Sequence, residues 1–320
     1  MQQPLLTGNS ARTTTDEVIK NIDLTGKTAI ITGGAAGLGL ETTKTLANAG
    51  ATIIIPVRNP DKVKLSLAGI PNVELYPASF DLSDRDSINS FSQWFKKNYQ
   101  KLEILINSAG IMATPLSYDS LGNELQIATN YLGHYFLTKA LLPELKQANG
   151  ARVVHLTSRA HWFSPFHFED PNFTHTPYDK WVAYGQSKTA VSLFSVALDE
   201  LYKKDNIRSF AVHPGSIVTN LSHNLTDEEL SAMGAINKNG DRGYDSYNNE
   251  HKTIKEGAAT IVWCATSPQL AGYGGVYCEN GDIAPLATDD SNQNRVGVKP
   301  WAIDKGTALK LWEETPHLFK

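Results

Sequence analysis

Tyr184 and Lys188 stand four residues apart in Tyr184-Gly185-Gln186-Ser187-Lys188, a spacing that puts both side chains on one face of a helix. A free phenol has a pKa of ~10 and exchanges protons poorly at neutral pH. An ammonium held beside it favours the phenolate and lowers that value. A phenol tuned this way can pass a proton to a carbonyl oxygen or take one from a hydroxyl. The same spacing also suits a solvated helix face with one packed ring, so the surroundings must decide. A second set of residues is Gly33, Gly37 and Gly39. Glycines between a strand and a helix let the backbone turn tightly and approach a pyrophosphate at the helix N-terminus. Their spacing departs from G-x-G-x-x-G, so the strand-turn-helix context carries the reading. A third is Arg58, which follows an expected second strand with no acid before Asp61. An acid there would hold the ribose 2′-hydroxyl of NAD. A guanidinium suits a 2′-phosphate instead, which favours NADP(H) over NAD(H).

Positioning these groups requires a scaffold. β-branched and apolar runs predict seven strands, over 28–31, 51–57, 73–76, 102–106, 152–157, 208–212 and 275–278. Between them the pattern predicts helices over 40–49, 61–67, 84–97, 122–142, 184–203 and 254–266, the fourth breaking at Pro143. Residues 1–12 read as flexible, followed by a short helix from the Thr13-Thr14-Thr15-Asp16-Glu17 caps through Lys20. Several strands are apolar without alternation, as in parallel sheets covered on both sides. The fold expected is a single α/β, doubly wound Rossmann-type domain with a seven-stranded parallel sheet and helices on both faces. An N-terminal arm (1–24) precedes the dinucleotide-binding body (25–285), and a C-terminal extension (286–320) packs near the substrate side. Two long connections, 159–183 and 221–251, read as substrate loops, the second as a lid.

The composition is that of an ordinary globular chain, 41% hydrophobic and 19% charged over 320 residues. A net charge of −4 leaves no footprint for nucleic acid or an anionic membrane. No apolar run reaches the ~18 residues of a membrane span. Cys264 and Cys278 are the only cysteines, so neither a disulfide framework nor a zinc spacing is present and a reducing, cytoplasmic setting is expected. The sequons at Asn172 and Asn224 read as chance without a secretion signal. His155, His161, His167, His175 and His213 follow no ligand spacing, and no metal is expected.

Taken in order, Thr32-Gly33-x-x-x-Gly37-x-Gly39, Asn107-Ser108-Ala109-Gly110, Tyr184-x-x-x-Lys188 and Pro214-Gly215 resemble the short-chain dehydrogenase/reductase family over roughly residues 25–285. Pro56-Val57-Arg58-Asn59, Ser158-Arg159-Ala160-His161 and Pro177-Tyr178-Asp179-Lys180-Trp181 are similar to its retinol-dehydrogenase-like and WW-domain-oxidoreductase-like branch, although no WW domain is present. Ser108 departs from the family's usual second asparagine. The resemblance implies Asn130, Ser158, Tyr184 and Lys188 as catalytic residues. Tyr184 would be general acid in reduction and general base in oxidation. Lys188 would lower its pKa and hold the nicotinamide ribose. Ser158 would orient the carbonyl, and Asn130 would anchor a water linking Lys188 to solvent. The cofactor would lie along Gly33, Ala36, Gly37, Leu38 and Gly39, then Arg58, Asp81 and Leu82, then Asn107, Ala109 and Gly110. Tyr184, Lys188, Pro214, Gly215, Ile217 and Thr219 would complete its cleft.

The function expected is NADP(H)-dependent interconversion of a small-molecule carbonyl and alcohol. Aromatic residues in 159–183, together with Trp301 and Trp312, suggest a bulky, largely apolar substrate, with Arg159, His161, Trp162 and Trp181 as its contacts. Packing of those aromatics beneath long loops is the competing reading. Two alternatives stand beside this function. Reduction of an activated C=C bond would use the same tyrosine. A nucleotide-sensing protein without turnover would need no proton donor. The resemblance allows a monomer, or a homodimer paired through the helices carrying Asn130 and Tyr184.

Overall fold

A computed structural model of the protein describes residues 2–288 and 296–319. Residues 289–295 of the expected C-terminal extension lie outside the described residues. The strands are β1 (Thr28–Thr32), β2 (Thr52–Ile55), β3 (Val73–Leu75), β4 (Ile104–Asn107), β5 (Arg152–Leu156), β6 (Arg208–Val212), β7 (Val276–Glu279) and β8 (Asp282–Ile283). They form one sheet in the order β3-β2-β1-β4-β5-β6-β7-β8. β1 to β7 are parallel throughout, as expected. β8 is an additional strand, antiparallel to β7. Its two residues follow a tight turn at Asn280-Gly281, both at positive φ, and are too short to read as a strand from sequence.

The helices are α1 (Thr15–Val18), α2 (Gly37–Asn48), α3 (Pro60–Leu67), α4 (Arg85–Asn98), α5 (Leu125–Ile127), α6 (Gly133–Ala140), α7 (Leu142–Gln147), α8 (Lys180–Tyr202), α9 (Asp227–Ala232), α10 (Ile254–Thr266) and α11 (Lys305–Leu318). Alternate residues of the strands feed two cores. Ile30, Ile54, Leu105 and Val153 point to the side of α4, α6, α8 and α11. Ala29, Ile31, Ile53, Ile106 and Val154 point to the side of α2 and α10. This is the two-sided burial that continuous apolar strands anticipate.

Several boundaries differ from the sequence pattern for identifiable reasons. The expected helix over 122–142 is three pieces: α5 passes through a π-helical turn (Ala128–Leu132) into α6, and Pro143 sits in the first turn of α7. Proline is tolerated there because the first-turn amides have no intrahelical partner. α8 starts one turn before Tyr184 because the Asp179 carboxylate accepts from the Trp181 and Val182 amides, both at 2.8 Å. Every residue from 183 to 199 is buried, between the sheet, α5 with the π-helical turn that follows it, and α11. The arm expected to be flexible is instead strapped to the β7–β8 turn. The amides of Leu5 and Leu6 donate to the Asp282 carboxylate at 2.8 and 2.9 Å. The Gln2 side chain pairs with the backbone of Tyr277 and Ala284.

Candidate active site

The parallel strands end together, so the segments after β1, β4, β5 and β6 meet the N-terminal half of α8 at one edge of the sheet. At β1 the chain turns through Gly33 and Gly37, both at positive φ (70° and 51°). A Cβ on Gly39 would lie 2.2 Å from the Gly33 carbonyl oxygen, and one on Gly33 would lie 3.0 Å from Ala109. Only glycine permits this packing of turn, helix and neighbouring strand end. Ala36 is the N-cap of α2, with Gly37, Leu38 and Gly39 in its first turn. Thr32 knits β1 to β4: its hydroxyl accepts the amides of Ser108 (3.0 Å) and Ala109 (3.1 Å). The turn therefore stands with Ser108 in place of asparagine.

Tyr184 and Lys188 are almost wholly buried, 4% and 6% exposed. Burial pushes the Tyr184 phenol up to about 12, opposed by a hydrogen bond with Ser158. Burial also pushes the Lys188 ammonium down to about 8. The Lys188 Nζ lies 5.6 Å from the centre of the Tyr184 ring and donates to the Leu156 carbonyl at 2.9 Å. Desolvation thus sets the direction of the tyrosine's shift, opposite to the lowering expected from the lysine. Ser158 caps a 3-10 turn (Arg159–Trp162), its Oγ accepting from the Ala160 amide at 3.1 Å.

Asn130 lies within the π-helical turn. Its side chain accepts from the Ile111 amide (2.9 Å) and donates to the Ile111 carbonyl (3.0 Å) and Ser187 Oγ (2.9 Å). It fastens the end of β4 to α8 beside Lys188. A Cβ on Gly110 would lie 3.0 Å from Asn130 Oδ1 and 3.7 Å from Lys188 Nζ. The Asn130 carbonyl is met by His134 Nδ1 at 3.0 Å. That nitrogen therefore carries the proton, and His134 Nε2 accepts from the Thr32 hydroxyl at 2.9 Å. Burial holds His134 near 4, uncharged. Sequence reading missed His134, although it stands one helical turn after Asn130.

The loop after β6 closes over the glycine turn. A Cβ on Gly37 would lie 3.4 Å from Thr219, and one on Gly257 would lie 2.7 Å from Ile217 and 3.0 Å from Leu38. Gly215 is at φ +93° against Lys252 and Glu250. Arg58 is exposed just past β2, and its guanidinium forms no ion pair among the described residues. Asp81 accepts from the Ser83 amide and hydroxyl, and Leu82 packs on Gly133 of α6. Asn107 is turned into the core, with its amide 3.0 Å from His155 Nδ1 and 3.3 Å from Thr138 Oγ1.

The four candidate substrate contacts divide. Arg159 reaches Glu279 (2.5 Å), Glu250 (3.6 Å) and the Gly297 carbonyl (2.8 Å). Trp162 donates to the same carbonyl at 3.2 Å. His161 is fully buried, donating to the Ser158 carbonyl (2.7 Å) and accepting from the Lys299 amide (3.1 Å). These three tie the end of β5 to the C-terminal extension. Trp181 alone borders the tyrosine, its ring 6.5 Å from that of Tyr184. Phe163, from the same connection, meets Trp181 edge-on at 6.2 Å. The 221–251 connection contributes Leu225, Leu230 and Ala235 to an apolar cluster with Ala113, against which Met112, Trp181 and Val218 pack. Lys180 pairs with Glu229 of α9. Among the described residues no three His, Cys, Asp or Glu side chains are grouped to hold a metal, and no helix is long and apolar enough to cross a membrane.

Comparison with known proteins gives the family and the fold. The sequence model of the short chain dehydrogenase family matches residues 27–230. A probable oxidoreductase of Streptomyces lividans is 41% identical over 91% of this chain and 97% of its own length. Retinol dehydrogenase 12 of Mus musculus is 32% identical over 93% of this chain and 88% of its own. The crystal structure of a putative uncharacterized protein from Mycobacterium paratuberculosis superposes with a TM-score of 0.70 at 29% identity, covering 94% of this chain and 96% of that one.

Proposed function

The chain belongs to the short-chain dehydrogenase family of oxidoreductases, and from that premise we propose that it interconverts a carbonyl and an alcohol with NADP(H), on a bulky, largely apolar substrate. The observation that carries this reading is the convergence of the glycine turn, Gly110, Ser158, Tyr184 and Lys188 at one edge of the sheet. The residues present fit a dinucleotide. The Gly33–Gly39 contact leaves a bare backbone cradle before the N-terminus of α2, where amide donors favour a pyrophosphate. Arg58 stands exposed past β2 for a 2′-phosphate.

When bound, the cofactor supplies hydride chemistry, and the oxidised form adds positive charge near the tyrosine. The residues of this chain do the rest. In reduction Tyr184, a neutral phenol held near 12 by burial, gives its proton to the carbonyl oxygen. Ser158, just past the end of β5 and close enough to lower the Tyr184 pKa, holds that oxygen in line. In oxidation Tyr184 must accept a proton, so positive charge from Lys188 and the oxidised cofactor has to offset the cost of a buried phenolate. Asn130 keeps Lys188 and the end of β4 in register.

The test is a consumption screen with NADPH and NADH over ketones and aldehydes of graded size. NADPH should be consumed with ketone reduction. Tyr184→Phe should lower turnover by at least ~10²-fold, the scale of a lost general acid, with NADPH binding little changed. Arg58→Ala should weaken NADPH binding about 10–100-fold and NADH binding hardly at all, the worth of a charge-assisted hydrogen bond. Substantial residual turnover in Tyr184→Phe would remove the proton-donor assignment. Equal losses for the two cofactors would remove the preference.

A further inference from the structure

Three rings, Tyr184, Trp181 and Phe163, follow one another in a row. Trp181 lies three residues before Tyr184 on α8 and meets it edge-on, at 6.5 Å and 74°. Phe163 meets Trp181 edge-on in turn, at 6.2 Å and 82°. Gly185 makes room for this second ring, since a Cβ there would lie 2.9 Å from Phe163 Cβ. Phe163 is 52% exposed, so its ring is open to a ligand. Its neighbour Phe166, from the same connection, is buried. On its other side Trp181 rests on the apolar cluster of the 221–251 connection with Met112 and Val218. The Lys180 ammonium, 6.0 Å from the centre of the Trp181 ring, is paired with Glu229.

We propose that Trp181 and Phe163 form an aromatic subsite that selects carbonyl substrates bearing an aryl ring next to the reacting carbon. The inference rests on the reading of Tyr184 as proton donor to that carbonyl. Trp181 is the ring that neighbours Tyr184, so the substituent of a carbonyl held by the Tyr184 hydroxyl would come within reach of it. Aromatic faces and edges attract through their quadrupoles, which a saturated ring of similar size lacks. The wall therefore discriminates by ring character as well as by bulk. Trp162 takes no part, because its ring is committed to Gly297 and stands 4.2 Å from the Lys299 ammonium.

The experiment uses two matched pairs with the NADPH-loaded protein. Binding of benzamide and cyclohexanecarboxamide, neither of them reducible, is measured by calorimetry. Turnover of acetophenone and cyclohexyl methyl ketone is measured by NADPH consumption. The wild type should bind the aryl amide about threefold to tenfold more tightly. Trp181→Leu and Phe163→Leu should each move that ratio towards one. Phe163 is exposed, so its variant decides the matter should Trp181→Leu fail to fold. A wild-type ratio of one, no binding of either amide, or a ratio untouched by Phe163→Leu overturns the subsite. A retained aryl preference in binding with no turnover of either ketone strikes the proposed reaction and leaves the subsite standing.

Discussion

Lys188 is an ammonium with hardly any water around it, 6% exposed and satisfied by one carbonyl, that of Leu156. Its pKa is depressed from 10.5 to about 8, so the folded chain holds the charged form less well than the unfolded chain does. Below about pH 8 the lysine is charged in both states and the penalty is complete. It fades as pH rises from the folded value towards 10.5. Lys188→Met, similar in length and uncharged, should therefore stabilise the protein by about 1–3 kcal/mol at pH 7. The gain should shrink towards zero near the unfolded lysine value. Urea unfolding of both proteins across this range checks the sign, and a variant less stable at pH 7 would show that the Leu156 hydrogen bond outweighs desolvation. The same variant should lose turnover, so the charge is kept at a cost in stability, as is common where a site needs an unfavourable group. Residues of this kind were legible in the sequence because their spacing is local: Tyr184 and Lys188 on one helical turn, Gly33 to Gly39 within one strand-to-helix turn. Arg159, His161 and Trp162 were not. Their directions are set by Glu279, Gly297 and Lys299, more than a hundred residues away, and no local pattern carries that information.

The loop after β6 meets the far end of the 221–251 connection at Ser216. Ser216 donates its amide to the Glu250 carbonyl (2.7 Å) and accepts the Lys252 amide (3.1 Å). Its hydroxyl meets the Tyr244 hydroxyl at 2.5 Å. Tyr244 also stacks on His251, 4.0 Å apart and 7° from parallel, so Tyr244→Phe removes the hydroxyl bond and keeps the stack. Glu250 is held from the other side: burial pushes its carboxyl up, but His213, Arg159 and Lys252 outweigh that and hold it at about 2. Because Pro214 to Thr219 would wrap the cofactor, a looser connection should weaken cofactor binding and open the connection together, as linkage requires. Tyr244→Phe should raise the NADPH dissociation constant about fivefold, the worth of one neutral hydrogen bond. It should also speed tryptic cleavage after Lys238 and Arg242, the basic residues of this connection, both exposed. Cleavage and binding both unchanged would show that the two backbone bonds suffice. At this scale the order and type of the strands were readable from apolar runs and turn residues. The π-helical turn around Asn130 was not, since an inserted residue leaves the helical apolar pattern nearly intact. Nor was the Ser216 junction, a pairing across the chain with no periodicity of its own.

In the molecule as a whole, each terminus closes a face of the sandwich. The N-terminal arm is held by Asp282 at the β7–β8 turn, and Arg12 pairs with Glu256 of α10. At the other end α11 lies along α8, burying Ala308, Leu311 and Phe319. Trp312 stacks on Phe194 at 5.8 Å and meets Tyr135 edge-on at 5.1 Å. The hydroxyls of Tyr131 and Thr315 are 2.5 Å apart, and Tyr135 donates to the Trp312 carbonyl at 3.1 Å. The surface so covered belongs to α8 and to the π-helical turn and α6, the stretches carrying Tyr184 and Asn130 through which the sequence resemblance allowed a homodimer. A second copy could pair there only by displacing α11, losing apolar burial of the kind it would gain, together with both hydroxyl contacts and a ring stack. Association would also cost rotational and translational freedom that α11, tethered to the chain, has largely lost already. The expected state is therefore a monomer at micromolar concentration, checked by sedimentation velocity. Trp312→Ala should cost about 2–3 kcal/mol, less than a fully buried tryptophan because its ring is only partly covered. It should also loosen α11, so that a dimer emerges or grows with concentration in the variant. A wild-type dimer whose association is unchanged by Trp312→Ala would place the pairing surface elsewhere and defeat the idea that the C-terminal helix holds the α6–α8 face for itself.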